Sequence, residues 1–162
     1  MEYLSQASTL TLSNARTYLF AALFTVGNIA FPQLCHLIPQ GGLMLQPILF
    51  FTLIAACRFG WRVALLTAVA SPLINTLLFA MPSEAMLPVV LIKSIVLALA
   101  VSKVVTLRSD MQMTYITAVI ISVLFVGNLA EWVCCSSMTN LKLCIPGVAL
   151  LTATAYWMTK RC

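Results

Sequence analysis

Residues 111–130 read MQMTYITAVIISVLFVGNLA, a run of twenty residues without an aspartate, glutamate, lysine or arginine. An α-helix rises about 1.5 Å per residue, so this run is about 30 Å long, which matches the hydrocarbon core of a bilayer. Asp110 and Glu131 bound the run, and similar apolar runs recur along the chain. The stretch predicts a transmembrane helix, and its recurrence predicts several.

The composition excludes an ordinary water-soluble domain. Of the 162 residues, 62% are hydrophobic and only 8% are charged, and the mean hydropathy is +1.03. A soluble domain of this length needs a charged shell that this composition cannot supply. The net charge of +5 comes from scattered basic residues without a basic cluster, so we expect no nucleic-acid partner. We expect a multi-pass protein of the cell membrane, inner or plasma, whose surroundings are the lipid bilayer.

Apolar runs between charges and Pro/Gly breaks predict an all-α bundle of six transmembrane helices, at 14–31, 43–57, 62–80, 85–104, 112–131 and 144–159. The sequence has no internal repeat, serine-rich linker or low-complexity tail. We therefore treat 1–162 as a single membrane domain.

The basic residues orient this bundle. Alternate helix ends carry seven of them: Arg16, Arg58, Arg62, Lys103, Arg108, Lys160 and Arg161. The opposite ends carry Lys142 as their one basic residue, together with Glu84 and Glu131. Since cytoplasmic ends collect Lys and Arg, both termini are predicted to be cytoplasmic.

Lys93 is the deepest charged residue of the predicted bundle. It lies eight residues, or about 12 Å, into the predicted helix 85–104. An ammonium group facing lipid costs several kcal/mol, so the side chain should face the interior. It either forms a structural ion pair with Glu131 or contacts an anionic or carbonyl-bearing ligand, and both roles are compatible.

Other polar side chains crowd the same outer half of the bundle and predict a pocket open to the outside. In falling order of preference, the candidate ligand-binding residues are Lys93, Glu131, Asn128, Asn75, Gln46, Gln33 and His36, with Trp132 as a possible stacking surface. Structural roles without a ligand stay open for several of these residues. The two asparagines can be interhelical hydrogen-bond links, His36 a solvated loop residue and Trp132 an interfacial anchor.

Small side chains form a column on the predicted first helix. Ser13, Thr17, Ala21 and Thr25 recur at every fourth residue, and Ala22 lies beside them. Such a groove lets another helix approach closely, either within the bundle or from a partner protein.

The sequence carries no motif for catalysis or metal binding. It lacks a G-x-x-x-x-G-K-[ST] loop, an H-E-x-x-H and a G-x-S-x-G. Its six cysteines lack C-x-x-C spacing and it has one histidine, so we expect no metal and no cofactor. A disulfide from Cys35 to Cys134, Cys135 or Cys144 stays open. We expect a protein that is not an enzyme.

Several short motifs together resemble one family. They are the helix 14–30, the proline loop 31–42, Phe59-Gly60-Trp61-Arg62 leading to Ser71-Pro72-Leu73, and Met81-Pro82 followed by Leu87-Pro88 and Ile92-Lys93-Ser94. The chain is similar over nearly its whole length to the S components of energy-coupling factor (ECF) transporters, especially to members of unassigned substrate.

The resemblance implies a substrate-binding subunit for a vitamin or related micronutrient. It implies a pocket near the outer face built from the first loop and the last three helices, with the proline loop as its lid. It also implies that small residues of the first helix dock on a membrane-embedded T subunit, while two ATPase subunits drive a toppling motion that releases the ligand inside.

Two other classes remain as rivals. A membrane enzyme acting on lipid or isoprenoid substrates would need paired acids or a metal near the interface, and the four acidic residues are scattered. A membrane scaffold or assembly protein would need no outer pocket, and the uneven depth of the polar residues speaks against it.

Overall fold

The computed structural model describes residues 11–35, 37–39, 41–106, 112–135 and 144–160. These residues form helices and no strand, which confirms the all-α prediction. In chain order the helices are α1 (Ala15–Cys35), α2 (Gly41–Leu45), α3 (Pro47–Phe59), α4 (Trp61–Phe79), α5 (Leu87–Thr106), α6 (Gln112–Cys135) and α7 (Ile145–Lys160). All except α2 correspond to a predicted helix.

The predicted proline loop 31–42 is partly helical. α1 continues through Pro32 to Cys35, and α2 begins at Gly41. A proline has no N–H, so it leaves the carbonyl of Asn28, four residues earlier, without its helical donor. The side-chain amide of Asn75 fills this place, with Nδ2 donating to the Asn28 carbonyl oxygen at 3.0 Å. This neighbour allows the helix to continue past the proline.

Within the described residues, four helices are long and apolar enough to cross a membrane: Ala15–Cys35, Trp61–Phe79, Leu87–Thr106 and, within α6, Met113–Val133. The helices Pro47–Phe59 and Ile145–Met158 are apolar but shorter. The chain therefore has the character of a membrane protein by helix length and composition. Six spans and cytoplasmic termini stay predictions.

The outer surface of the bundle is apolar. Large side chains such as Leu23, Leu77, Phe125 and Val133 are more than half exposed, while many polar side chains are buried. Exposed apolar area on this scale is expected of a surface that faces lipid rather than water.

The short helix α3 lies at the centre and contacts α1, α4, α5 and α7. The helices around it meet at small buried side chains, namely Ala55, Ala56, Ala64, Ala68 and Ala98. Small residues let helix backbones approach closely, which maximises the dispersion contacts that hold helices together in lipid.

The connections between helices define two ends of the bundle. α3 and α4 join at Gly60, whose φ of 81° favours glycine. The Phe20 ring of α1 stacks on Phe59 of α3 at 4.3 Å between centroids, so the start of α1 lies at this end too. We call this the basic end, because Arg16, Arg58, Arg62 and Lys103 belong to it.

Candidate functional site

A cavity of about 420 Å³ opens at the other end of the bundle, where α1 ends and α5 begins. Its walls come from α1 to α6 and the loop before α5: Pro32, Gln33, Gly42, Gln46, Pro47, Ile48, Leu49, Asn75, Met81, Pro82, Ser83, Met86, Val90, Lys93, Asn128 and Glu131. We call it the Lys93 cavity. Its size and its apolar walls with a few polar groups are typical of small-molecule sites.

A buried ion pair lies on the wall of the Lys93 cavity. Lys93 Nζ of α5 donates to Glu131 Oε1 of α6. The two residues are only 6% and 5% exposed. Each charge would be very unfavourable alone at this depth, so each offsets the desolvation of the other. The cavity consequently carries both signs of charge with no net excess from this pair.

Gly127 makes the ion pair possible. This buried residue of α6 lies one turn before Glu131, and the aliphatic part of Lys93 runs directly across it. A Cβ atom at Gly127 would overlap the Cγ, Cδ and Cε atoms of Lys93. Without a side chain at this position, α6 offers a path along which the lysine reaches the carboxylate.

Two amides and a thiol form a second polar group beside the cavity. Gln46 adopts a left-handed conformation between α2 and α3, with φ 47°, and its Nε2 lies 3.5 Å from Cys144 Sγ. Asn128 Nδ2 lies 3.9 Å from the same sulfur. Asn128 Oδ1 is buried and has no hydrogen-bond partner within the described ranges. This carbonyl can accept a hydrogen bond from a ligand.

Asn28 organises a polar network where α1, α3 and α4 meet. Its Nδ2 donates to Thr52 Oγ1 at 3.1 Å and to Ser71 Oγ at 3.0 Å. Its Oδ1 accepts from the backbone N–H of Phe51 at 3.2 Å. Together with the bond from Asn75 to the Asn28 carbonyl, these contacts use the whole amide for interhelical links.

The structure brings most of the candidate residues together. Lys93, Glu131, Asn128, Asn75, Gln46 and Gln33 all line the Lys93 cavity. Trp132 is 54% exposed and lies outside the cavity wall. His36 lies outside the described residues. Asn75 has the interhelical role that the sequence left open, and it also lines the cavity.

Sequence reasoning missed two parts of this region. The apolar wall, including Met81, Pro82, Met86 and Val90, was not predicted, because hydropathy cannot tell a cavity-facing side chain from a lipid-facing one. Asn28 was absent from the candidate residues although it is the hub of the network. Its position four residues before Pro32 could have indicated the bond to its backbone carbonyl, whereas its side-chain bonds depend on the packing of α3 and α4.

The small-residue column of α1 lies mainly inside the chain. Thr17, Ala21 and Thr25 are buried, so these three side chains are not on a surface that a partner could contact. For these three residues the packing lies within the bundle, which is one of the two alternatives that the sequence left open. Ser13 and Ala22 are exposed.

The two ends of the possible disulfide that the structure describes are both free thiols. Cys35 and Cys144 are buried and unbridged. Nothing is described of the side chains of Cys134 and Cys135.

Comparisons of the chain with protein-family models, with curated proteins and with solved structures found no match.

Proposed function

We propose that this protein is the substrate-binding S component of an ECF-type importer, which captures a vitamin or related micronutrient from the outer face of the cell membrane. The observation that carries the proposal is the Lys93 cavity, because it combines an apolar wall with a buried ion pair and several amides in a bundle with an apolar exterior. A scaffold has no need of such a cavity.

The charges in the cavity favour a ligand without net charge. Lys93 is already paired with Glu131, so an anionic ligand would have to compete with a carboxylate that cannot leave. A neutral ligand leaves the pair intact, and a zwitterion can contact both members with opposite groups. Asn128 Oδ1 is an acceptor that is buried without a partner in the described part of the chain. It therefore favours a ligand with an N–H or O–H group that can donate a hydrogen bond to it.

We also propose that α1 docks on a T subunit. The resemblance suggests this docking, but the residues that we assign to it differ from the small-residue column expected from the sequence. Ala22 and Ala30 are exposed, and Val26 between them is 61% exposed. These residues form an outward-facing stripe of fairly small side chains, one turn apart. This stripe, rather than the buried column, is the face that we assign to the T subunit, with the two ATPases supplying the energy.

Native mass spectrometry tests the proposal. The protein is purified in mild detergent from cells that express its own T and ATPase subunits, and the spectrum is searched for a retained small molecule and for those subunits. The expected result is a bound, net-neutral micronutrient. The double variant Lys93→Met/Glu131→Leu should lose the ligand, because it removes both polar partners while avoiding a lone buried charge.

Lys103→Met is the matched control, since it changes an exposed lysine on the same helix at the other end of the bundle. It should retain the ligand. An apo protein that ignores a panel of micronutrients and co-purifies with a cell-shape or assembly protein instead would contradict the proposal and favour the scaffold.

A further inference from the structure

A second cavity, of about 330 Å³, lies at the basic end, between the α3–α4 junction and the last turns of α5. It is lined by Ala56, Gly60, Trp61, Leu99, Ser102, Lys103, Val105 and Thr106. We call it the Trp61 cavity. It shares no lining residue with the Lys93 cavity, and the proposed function makes no use of it.

The first turn of α4 forms one side of the Trp61 cavity. The N-cap residue is Gly60, so the N-cap position supplies no side chain that could accept a hydrogen bond from the first turn. The first N–H groups of a helix have no intrahelical acceptor, and the helix dipole adds a partial positive charge there. N–H groups at the start of a helix beside a cavity are suited to an anion that can accept hydrogen bonds.

Ser102 supplies an independent sign of a ligand. It is 4% exposed, and its Oγ is buried without a hydrogen-bond partner among the described residues. Other buried hydroxyls in this chain bond to the carbonyl four residues earlier, as Ser71 does to Thr67 at 2.6 Å. The hydroxyl of Ser102 makes no such bond, and Ser102 lies on the wall of the cavity. A buried donor left in this state is unfavourable unless a ligand accepts a hydrogen bond from it.

The charged side chains described at the cavity are positive. Lys103 is exposed on the wall, and the Arg62 guanidinium lies 5.0 Å from the centroid of the Trp61 ring. The described residues of the wall include no aspartate or glutamate. The remaining wall is apolar, which suits a ligand that combines an anionic group with a hydrocarbon part.

We propose that the Trp61 cavity binds a phosphate group. The hydroxyl of Ser102 and the first N–H groups of α4 donate to its oxygens, and the ammonium of Lys103 balances its charge. In a bilayer the phosphate is supplied by an anionic phospholipid whose acyl chains lie along Leu99 and Val105. In solution, inorganic phosphate offers the same chemistry without the chains. Basic cavities between helices at a membrane surface are suited to such head groups.

Trp61 provides the measurement, since it lies on the wall of the cavity. The protein retains it as its only tryptophan in a Trp132→Phe/Trp157→Phe background. In nanodiscs of phosphatidylcholine, increasing fractions of phosphatidylglycerol should change the Trp61 fluorescence saturably. A second titration adds inorganic phosphate to nanodiscs of phosphatidylcholine alone. A saturable change in Trp61 fluorescence with either probe supports the proposal, and the probe that gives it identifies the source of the phosphate.

Ser102→Ala should weaken binding about tenfold, since a hydrogen bond to a charged group is lost. Lys103→Gln should weaken it about fivefold. Arg16→Gln removes an exposed charge at the same end but outside the cavity wall. It should leave the midpoint of the fluorescence titration unchanged. Ser102→Ala should not lower the unfolding temperature without phosphate, because it removes an unpartnered group. Weaker binding in this variant then reports the site and not the fold.

The proposal is overturned if neither probe changes the Trp61 fluorescence saturably. It is also overturned if Arg16→Gln weakens the response as much as Lys103→Gln does, because the response would then reflect surface charge alone. An unchanged midpoint in Ser102→Ala would likewise contradict it.

Discussion

The bundle buries polar side chains in two regions that solve the same problem differently. Where α1, α3 and α4 meet, Asn28 and its neighbours are uncharged and bond to one another and to backbone groups. Between α5 and α6, Lys93 and Glu131 are charged and bond to each other. In the first region Asn28 itself lies off the cavity wall and only its neighbour Asn75 reaches it, whereas both members of the ion pair line the cavity.

This difference separates a structural role from a binding role. The amide of Asn28 is committed on both its nitrogen and its oxygen, so it has little capacity left for a ligand. An ammonium has three donor positions, so its bond to Glu131 leaves Lys93 with capacity for a ligand. The ion pair is therefore the region where a ligand gains most, and also the region where a substitution should have the largest effect.

Breaking the ion pair on one side should give the largest effect on stability. Lys93→Met leaves a buried carboxylate without its main partner and should lower the free energy of unfolding by about 3 to 5 kcal/mol. Glu131→Leu should cost a similar amount by isolating the ammonium. Chemical or thermal unfolding of the purified protein in one detergent measures both.

The double variant Lys93→Met/Glu131→Leu is the critical comparison. Replacing both charges by apolar side chains of similar size removes the penalty, so it should be more stable than either single variant. A double variant as unstable as the sum of the two singles would show that the residues do not depend on each other.

A smaller effect is expected from Gly127→Ala. The added methyl group occupies the path of the Lys93 side chain and should destabilise the protein by about 1 to 3 kcal/mol, as over-packing does. It should also weaken ligand retention, because the ammonium is displaced from the cavity wall. Unfolding and native mass spectrometry measure the two consequences.

A double-mutant cycle identifies the cause of that loss. In a Lys93→Ala background the long side chain is absent, so Gly127→Ala should have little further effect on stability. An equal loss in both backgrounds would mean that the methyl group clashes with something other than Lys93.

The sequence was informative where a single residue carries a large energetic penalty. Apolar runs predicted the six longer helices, because a bilayer-length helix admits few charges. The depth of Lys93 predicted its burial, since the cost of exposing an ammonium to lipid leaves few alternatives. Both predictions rest on solvation, which depends mainly on the residue and its position in the run.

Features that depend on neighbours were not accessible in this way. The continuation of α1 beyond Pro32 requires the amide of Asn75, which lies 47 residues away in the chain. The burial of Thr17, Ala21 and Thr25 depends on which helices pack against that face of α1. Local sequence patterns do not contain this information, so the loop 31–42 needed correction and the choice between internal packing and partner docking stayed open for the column on α1.

The smallest of the expected effects tests the other region. Asn75→Ala leaves the Asn28 carbonyl without the donor that replaces the missing N–H of Pro32, which should lower the free energy of unfolding by about 1 to 2 kcal/mol. Pro32→Ala returns a backbone N–H to the helix at the position that serves this carbonyl. In that background Asn75→Ala should cost less, by about 0.5 to 1 kcal/mol, when both variants are unfolded in the same detergent. If the cost is the same with proline and with alanine, Asn75 stabilises the bundle through its bond to Ser71 or its packing, and the account of how α1 passes Pro32 is wrong.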